Sequence, residues 1–105
     1  MRTNELAKIL SYAFFKKLAA LPFVQKIALF GSRAKGTNSA RSDIDLAIDC
    51  PKATPIDWNA IMNIVENADT LLKIDCVRLD TIQSARFKEA ILENHVILFE
   101  RKRAK

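Results

Sequence analysis

Two neighbouring segments decide the fold of this 105-residue chain: Phe30-Gly31-Ser32-Arg33-Ala34-Lys35-Gly36-Thr37 and Ser42-Asp43-Ile44-Asp45-Leu46-Ala47-Ile48-Asp49. In a β-strand, residues two apart point to the same face, about 6–7 Å apart along the chain. The second segment therefore predicts that Asp43 and Asp45 present two carboxylates on one face, while the apolar residues that alternate with them cover the other. Two like charges at this spacing repel each other unless a proton or a cation neutralises them. Oxygen ligands in this arrangement suit Mg²⁺.

The first segment has the pattern of an anion site. An apolar strand, Val24 to Phe30, ends at Gly31-Ser32, and a short helix follows it. The start of such a helix exposes backbone N–H groups and a positive helix end, which bind anions. Ser32 adds a hydroxyl donor, and Arg33 and Lys35 add positive charge. A phosphate site beside a paired-carboxylate metal site is what metal-assisted phosphoryl or nucleotidyl transfer requires.

These residues carry a family resemblance. Gly31-Ser32, ten intervening residues and Asp43-x-Asp45 resemble the signature of the DNA polymerase β-like nucleotidyltransferase superfamily, and the short chain is similar to its minimal nucleotidyltransferase (MNT) branch. The resemblance covers residues 23–100. It implies that Gly31 and Ser32 hold the β- and γ-phosphates of a nucleoside triphosphate, that the carboxylates hold two Mg²⁺ ions, and that a later strand supplies a third carboxylate.

Asp75 is the candidate for that third carboxylate. It lies in the middle of an apolar segment, Leu71 to Leu79, that we predict to be the third strand. A charged residue within an apolar strand departs from local patterning, and such departures tend to mark functional sites. The alternative is an edge strand whose acid faces the solvent. With the signature upstream, we interpret Asp75 as a metal ligand and catalytic residue.

The resemblance implies a Mg²⁺-dependent nucleotidyltransferase that moves AMP from ATP, or another nucleoside monophosphate, to a hydroxyl group. MNT proteins resemble the antitoxin half of two-gene systems whose other half is a helical HEPN-domain protein, so the implied acceptor is a tyrosine on that partner. The alternative is a non-catalytic antitoxin or binding subunit that acts by complex formation. We assign catalysis and metal binding to Asp43, Asp45 and Asp75, and nucleotide binding to Gly31, Ser32, Arg33 and Lys35.

The bulk properties restrict the remaining possibilities. A formal charge of +5 favours anionic partners, and contact with nucleic acid is compatible with it but not required. Cys50 and Cys76 lie far apart without a Cys/His cluster, so we expect free thiols in a reducing cytosol and no zinc site. No apolar run approaches the roughly 20 residues of a membrane span. We expect a cytoplasmic protein that forms homo- or hetero-oligomers, with one domain (1–105) and a disordered basic tail (101–105).

The predicted fold class is α/β (α+β), with one sheet packed against helices; that the sheet is mixed is implied by the resemblance alone. Thr54 and Asp57 have the pattern of a capping box, and Asp80 with Gln83 suggests another. Asn94 suits a left-handed helix end. The predicted elements are helices over 4–20, 33–35, 54–68 and from 80 onward, and strands over 24–30, 43–49, 71–79 and 95–100.

Overall fold

Five α-helices and four strands make up residues 3–102, the part of the chain that the computed structural model describes. A single 3₁₀ turn, Leu79–Thr81, follows the third strand. The elements in chain order are α1 (Thr3–Ser11), α2 (Ala13–Ala20), β1 (Lys26–Phe30), α3 (Gly31–Lys35), β2 (Ile44–Asp49), α4 (Pro55–Glu66), β3 (Ile74–Arg78), α5 (Ala85–Glu93) and β4 (Val96–Glu100). Within residues 3–102, no helix is long and apolar enough to cross a membrane.

The four strands form one mixed sheet in the order β3-β2-β1-β4. β1 runs antiparallel to both β2 and β4, whereas β2 and β3 are parallel. This confirms the predicted fold class and the mixed sheet. The register places Asp45 of β2 between Phe30 of β1 and Asp75 of β3, so the central strand brings the ends of both neighbours to one carboxylate.

The two faces of the sheet carry cores of different size. Side chains from β1 and β2 pack with α1, α2 and α4 in the larger core, whose fully buried members include Ile27, Leu29, Ile44, Leu46, Ile48, Phe14, Leu18 and Ile61. The opposite face has a small cluster of Ala47, Leu79 and Ile91, with Phe30 and Val77 packed against it. Alternation along β2 produces this division, because Ile44, Leu46 and Ile48 turn to the large core and the residues between them turn away.

The N-terminal helical segment breaks at Tyr12, so the prediction of one continuous helix over 4–20 is wrong. Tyr12 is extended (φ −64°, ψ 142°), and α2 starts at the next residue. The backbone N–H groups of Ala13 and Phe14 donate to the two carboxylate oxygens of Asp69, at 2.9 and 3.1 Å. Asp69 thus caps α2 from the loop after α4, which satisfies N–H groups that a helix start leaves free.

Replacing Asp69 with alanine should lower the midpoint of thermal unfolding. The two N–H donors hold the pKa of the Asp69 carboxyl below its ordinary value of 3.8. A lowered pKa in the folded state means that this stabilisation is fully present above pH 4 and is lost as the pH falls through the folded-state pKa. Circular dichroism melts at pH 7 should separate wild type from Asp69→Ala, and the difference should shrink as the pH is lowered through the folded-state pKa. Glu66→Ala, at the exposed end of α4, is the control; an equal loss in both variants would contradict the capping role.

The α4 cap is confirmed, and the α5 caps need correction. Thr54 and Asp57 form both hydrogen bonds of the capping box, with Pro55 in the first turn. Ser84, not Asp80, caps α5 by accepting the N–H of Phe87 at 3.2 Å. The carboxylate of Asp80 is used elsewhere, because it accepts the backbone N–H of Cys50 and the Nε–H of Arg78.

The end of α5 and the residue after the last strand differ from the sequence expectation. Asn94 has φ −136°, so it is not a left-handed helix end. Arg101, assigned above to a disordered tail, donates instead to the carbonyl oxygens of Ala19, Leu21 and Val24 at 2.8–3.1 Å. The prediction is therefore wrong at Arg101, and residues 103–105 lie outside the described part of the chain.

Both cysteines are free thiols, as expected. Burial raises the pKa of Cys50 to about 11 and that of Cys76 to about 12. Neither side chain is a thiolate at neutral pH, and reactivity requires the thiolate. The chemistry of the protein therefore has to be sought among its other polar side chains.

Candidate active site

Three carboxylates meet where β2 and β3 begin. Asp43 immediately precedes β2, Asp45 is its second residue, and Asp75 is the second residue of β3. One carboxylate oxygen of each lies within 4.8 Å of the other two, and all three side chains are half-buried. β3 is an edge strand of this sheet and the Asp75 side chain is 44% exposed, so Asp75 combines the two alternatives that the sequence left open.

The cluster concentrates negative charge at Asp45. Burial raises the pKa of the Asp45 carboxyl, and the neighbouring Asp75 and Asp43 charges raise it further. Lys73 opposes this effect; its Nζ lies 3.6 Å from Asp75 Oδ1, in an exposed ion pair. Sequence reasoning did not single out Lys73, although alternation in β3 places it on the same face as Asp75.

The donor set fits a divalent cation. It consists of carboxylate oxygens, which are the ligands that Mg²⁺ prefers, and Mg²⁺ is bound through one or two carboxylates together with substrate phosphates. Three carboxylates this close repel one another, so a bound cation would relieve the repulsion that raises the pKa of Asp45. Among the described residues, this is the group of acidic, histidine or cysteine side chains that could hold a metal ion.

Gly31 packs directly against this cluster. It is the first residue of α3 and has φ +73°, a conformation that residues with a Cβ rarely adopt. A Cβ built at Gly31 would lie 3.0 Å from Cγ of Asp45 and would overlap Oδ2 of the same carboxylate. The sheet register explains this contact, because Phe30, the residue before Gly31, pairs with Asp45. Only glycine lets the backbone approach the carboxylate this closely.

The other members of the predicted phosphate site lie along α3. Ser32 is half-buried and directly follows Gly31 in the first turn of α3. Lys35 is exposed at the last residue of α3, about 6 Å along the helix axis from Gly31. The structure therefore brings Gly31 to the carboxylates and places Lys35 at the other end of the same short helix.

Arg33 differs from Ser32 and Lys35 because its side chain is buried. Its side chain is 5% exposed, which makes it the buried charged residue of the described chain. The guanidinium donates to backbone carbonyl oxygens of the loop between α3 and β2, those of Ala40, Ser42 and Asp43. The guanidinium of Arg33 is therefore directed at backbone carbonyls inside the protein, and nucleotide binding by Arg33 stays a prediction.

Phe87 is a neighbour of the site that the sequence analysis did not identify. Its ring lies 6.2 Å from that of Phe30 in an edge-to-face arrangement, and it is 41% exposed. This contact attaches α5 to the residue that precedes Gly31. No local pattern could have predicted it, since the two rings are brought together by the packing of α5 on the sheet.

Comparison with known proteins gives a family and a fold. The family model described as Polymerase beta, Nucleotidyltransferase matches residues 14–104. A protein of Methanocaldococcus jannaschii, named as a candidate protein adenylyltransferase, is 29% identical over 73 residues, which are 68% of this chain and 73% of that protein.

Two solved structures have a similar fold. One is a toxin–antitoxin crystallised with AMP-PNP, with a TM-score of 0.62 and 23% identity over 97% of this chain and 76% of that one. The other is the complex of a tri-AMPylated Shewanella oneidensis HEPN toxin with an MNT antitoxin, with a TM-score of 0.60 and 20% identity over 96% of this chain and 74% of the matched one. At these identities the likeness concerns the fold.

Proposed function

The chain belongs to the polymerase beta nucleotidyltransferase family, and on that premise we propose that it is a Mg²⁺-dependent enzyme that transfers AMP from ATP to a hydroxyl group of a partner protein. One observation carries the proposal: the carboxylates of Asp43, Asp45 and Asp75 converge beside the Gly31 turn. Binding of a triphosphate requires cations that neutralise its charge and backbone N–H groups that donate to its oxygens. A carboxylate cluster that can hold a metal ion, next to the exposed backbone of the Gly31 turn, can supply both.

Each residue has a separate role in this proposal. Asp43 and Asp45 would hold Mg²⁺ at the nucleotide, and Asp75 would supply the ligand for a second ion. When bound, Mg²⁺ stabilises the negative charge on the phosphate oxygens and favours the ionised form of the attacking hydroxyl. The backbone at Gly31 and the hydroxyl of Ser32 orient the terminal phosphates. Lys35 contributes positive charge from the end of α3.

At the α-phosphorus the reaction forms one P–O bond and breaks another, and one proton is transferred. The acceptor oxygen attacks the α-phosphorus, its proton passes to the carboxylate of Asp75, and the bond to the β-phosphate breaks to release pyrophosphate. Asp75 suits this role because its side chain is 44% exposed and can be reached by an acceptor from the solvent. Most of the rate enhancement would come from positioning and charge stabilisation.

The acceptor in this proposal is a tyrosine of a HEPN-type helical protein, in a toxin–antitoxin pair. It is supported by the names of the similar proteins, a candidate protein adenylyltransferase and an MNT antitoxin bound to an AMPylated HEPN toxin.

Asp75→Asn should still bind ATP with Mg²⁺ but fail to label the acceptor. Asp75 acts on the attacking hydroxyl, whereas Asp43 and Asp45 remain to hold the nucleotide metal. The measurement is transfer of ³²P from α-labelled ATP to the product of the adjacent gene, with calorimetry for nucleotide binding. Asp49→Asn, which removes a carboxylate at the end of the neighbouring strand β2 and outside the cluster, is the control and should label normally. Label from Asp75→Asn at the wild-type rate would contradict its role; tight complex formation without label from any variant would favour a binding subunit.

A further inference from the structure

The loop between α3 and β2 has to place a carboxylate without the support of a strand. It begins at Gly36, which is left-handed (φ +79°), and reaches Asp43, the residue before β2. Its internal hydrogen bonds are few and exposed, among them Ser39 N–H to the hydroxyl of Ser42 at 2.9 Å. The backbone N–H of Ile44 donates to the carbonyl of Lys73 at 2.9 Å, but Asp43 itself belongs to none of the strand pairs. The carbonyl of Asp43 and the loop before it therefore depend on a further group.

Arg33 supplies that fixation. Its Nε donates to the carbonyl oxygens of Ser42 and Asp43, each at 3.3 Å. Its Nη2 donates to those of Ser42, at 2.9 Å, and Ala40, at 3.3 Å. A planar guanidinium can contact several carbonyls at once, whereas the ammonium of lysine is a single point charge on a flexible chain. The side chain is 5% exposed, so these contacts are shielded from water.

We propose that Arg33 is a positioning residue of the metal site, which holds the carboxylate of Asp43 in register with that of Asp45. The inference rests on the metal site of the proposed function. α3 then controls both carboxylates: Gly31 abuts the side chain of Asp45, and Arg33 holds the backbone of Asp43. In this proposal the guanidinium of Arg33 orients the metal site through its hydrogen bonds and does not bind the nucleotide.

If Arg33 only stabilised the fold, its replacement would lower stability and leave metal affinity unchanged. Metal affinity therefore distinguishes a structural role of Arg33 from a positioning role. Arg33→Lys keeps the charge but loses the planar fork. Loss of a group that orients a metal ligand typically weakens metal binding by about 10- to 100-fold. We expect this loss in Mn²⁺ titrations of the nucleotide-free protein followed by electron paramagnetic resonance, with circular dichroism showing that the variant is folded.

Arg101→Lys is the matched control. Arg101 also donates to three backbone carbonyls, of Ala19, Leu21 and Val24, but these lie away from the carboxylates. It should lose stability and keep wild-type Mn²⁺ affinity. Unchanged affinity in Arg33→Lys, or an equal loss in both variants, would overturn the positioning role. A wild-type protein that binds no Mn²⁺ would contradict the metal site itself, and the role of Arg33 with it.

A second measurement covers the case in which Arg33→Lys does not fold. In wild-type protein, the Nε–H resonance of Arg33 should shift on saturation with Mg²⁺, because its acceptor is the carbonyl of a metal-binding residue. The Nε–H of Arg101 donates to Val24 and should stay unchanged. The absence of an Arg33 shift at saturating Mg²⁺ would overturn the proposal without any substitution.

Discussion

Replacing Gly31 with alanine is expected to reduce nucleotide transfer by about 100-fold or more, since displacement of reacting groups by about 1 Å can have an effect of that size. The added Cβ would overlap the carboxylate of Asp45, and the left-handed backbone adds roughly 1–2 kcal/mol of strain for a residue with a Cβ. The sheet holds the backbone of Asp45 between Phe30 and Asp75, so the overlap would displace either the Asp45 carboxylate or the backbone at Gly31.

The variant Gly36→Ala distinguishes the effect of steric overlap with Asp45 from the effect of left-handed backbone strain. Gly36 has nearly the same conformation, φ +79°, but a Cβ there meets no atom within 4 Å. Both variants therefore carry the backbone strain, and only Gly31→Ala disturbs the carboxylate. Thermal unfolding should be affected similarly in the two, whereas labelling rates should fall in Gly31→Ala alone. Equal rates in the two variants would show that the contact with Asp45 is unimportant for transfer.

Asp45→Asn should have the largest effect on metal and nucleotide binding. Asp45 occupies the centre of the cluster, where burial and both neighbouring carboxylates raise its pKa. Removing a ligand should weaken Mg·ATP binding by more than the roughly 10- to 100-fold typical of an outer orienting residue. Calorimetric titration measures this directly, with Asp49→Asn as the control on the same strand.

The same substitution should not destabilise the metal-free protein. The raised pKa of Asp45 means that ionising this carboxyl is less favourable in the folded state than in the unfolded state at neutral pH. Asparagine removes one of three mutually repelling charges, so the free energy of unfolding without Mg²⁺ should stay equal or increase. A variant that binds Mg·ATP as well as wild type, or that unfolds more readily without metal, would contradict the assignment of Asp45.

The features that depend on local geometry could be predicted from the sequence alone. Alternation in a strand places Asp43 and Asp45 on one face whatever surrounds them, and the capping box at Thr54 uses residues three apart. The mixed sheet was a different case, because alternation does not reveal strand direction and the family resemblance was needed to predict it.

The features that the sequence did not reveal depend on partners distant in the chain. The sequence predicts Arg33 to be a cation beside a phosphate site. Only the folded structure shows that its guanidinium is buried against the backbone carbonyls of the loop between α3 and β2. The helix break at Tyr12 is set by Asp69, 56 residues from the N–H of Ala13 that it accepts. Asp80 has the spacing of a helix cap, but Cys50 and Arg78 compete for its carboxylate.

The unequal cores on the two sides of the sheet imply that the molecule does not open as one unit. Of the nine residues of α5 only Ile91 is buried, whereas β1 and β2 are fixed by the large core on their other face. Regions with few buried apolar contacts unfold locally at the lowest free energy. The helix α5 can therefore detach from the sheet while β1 and β2 remain folded. Such an excursion would withdraw Phe87 from Phe30 and expose the site from the α5 side without separating its carboxylates.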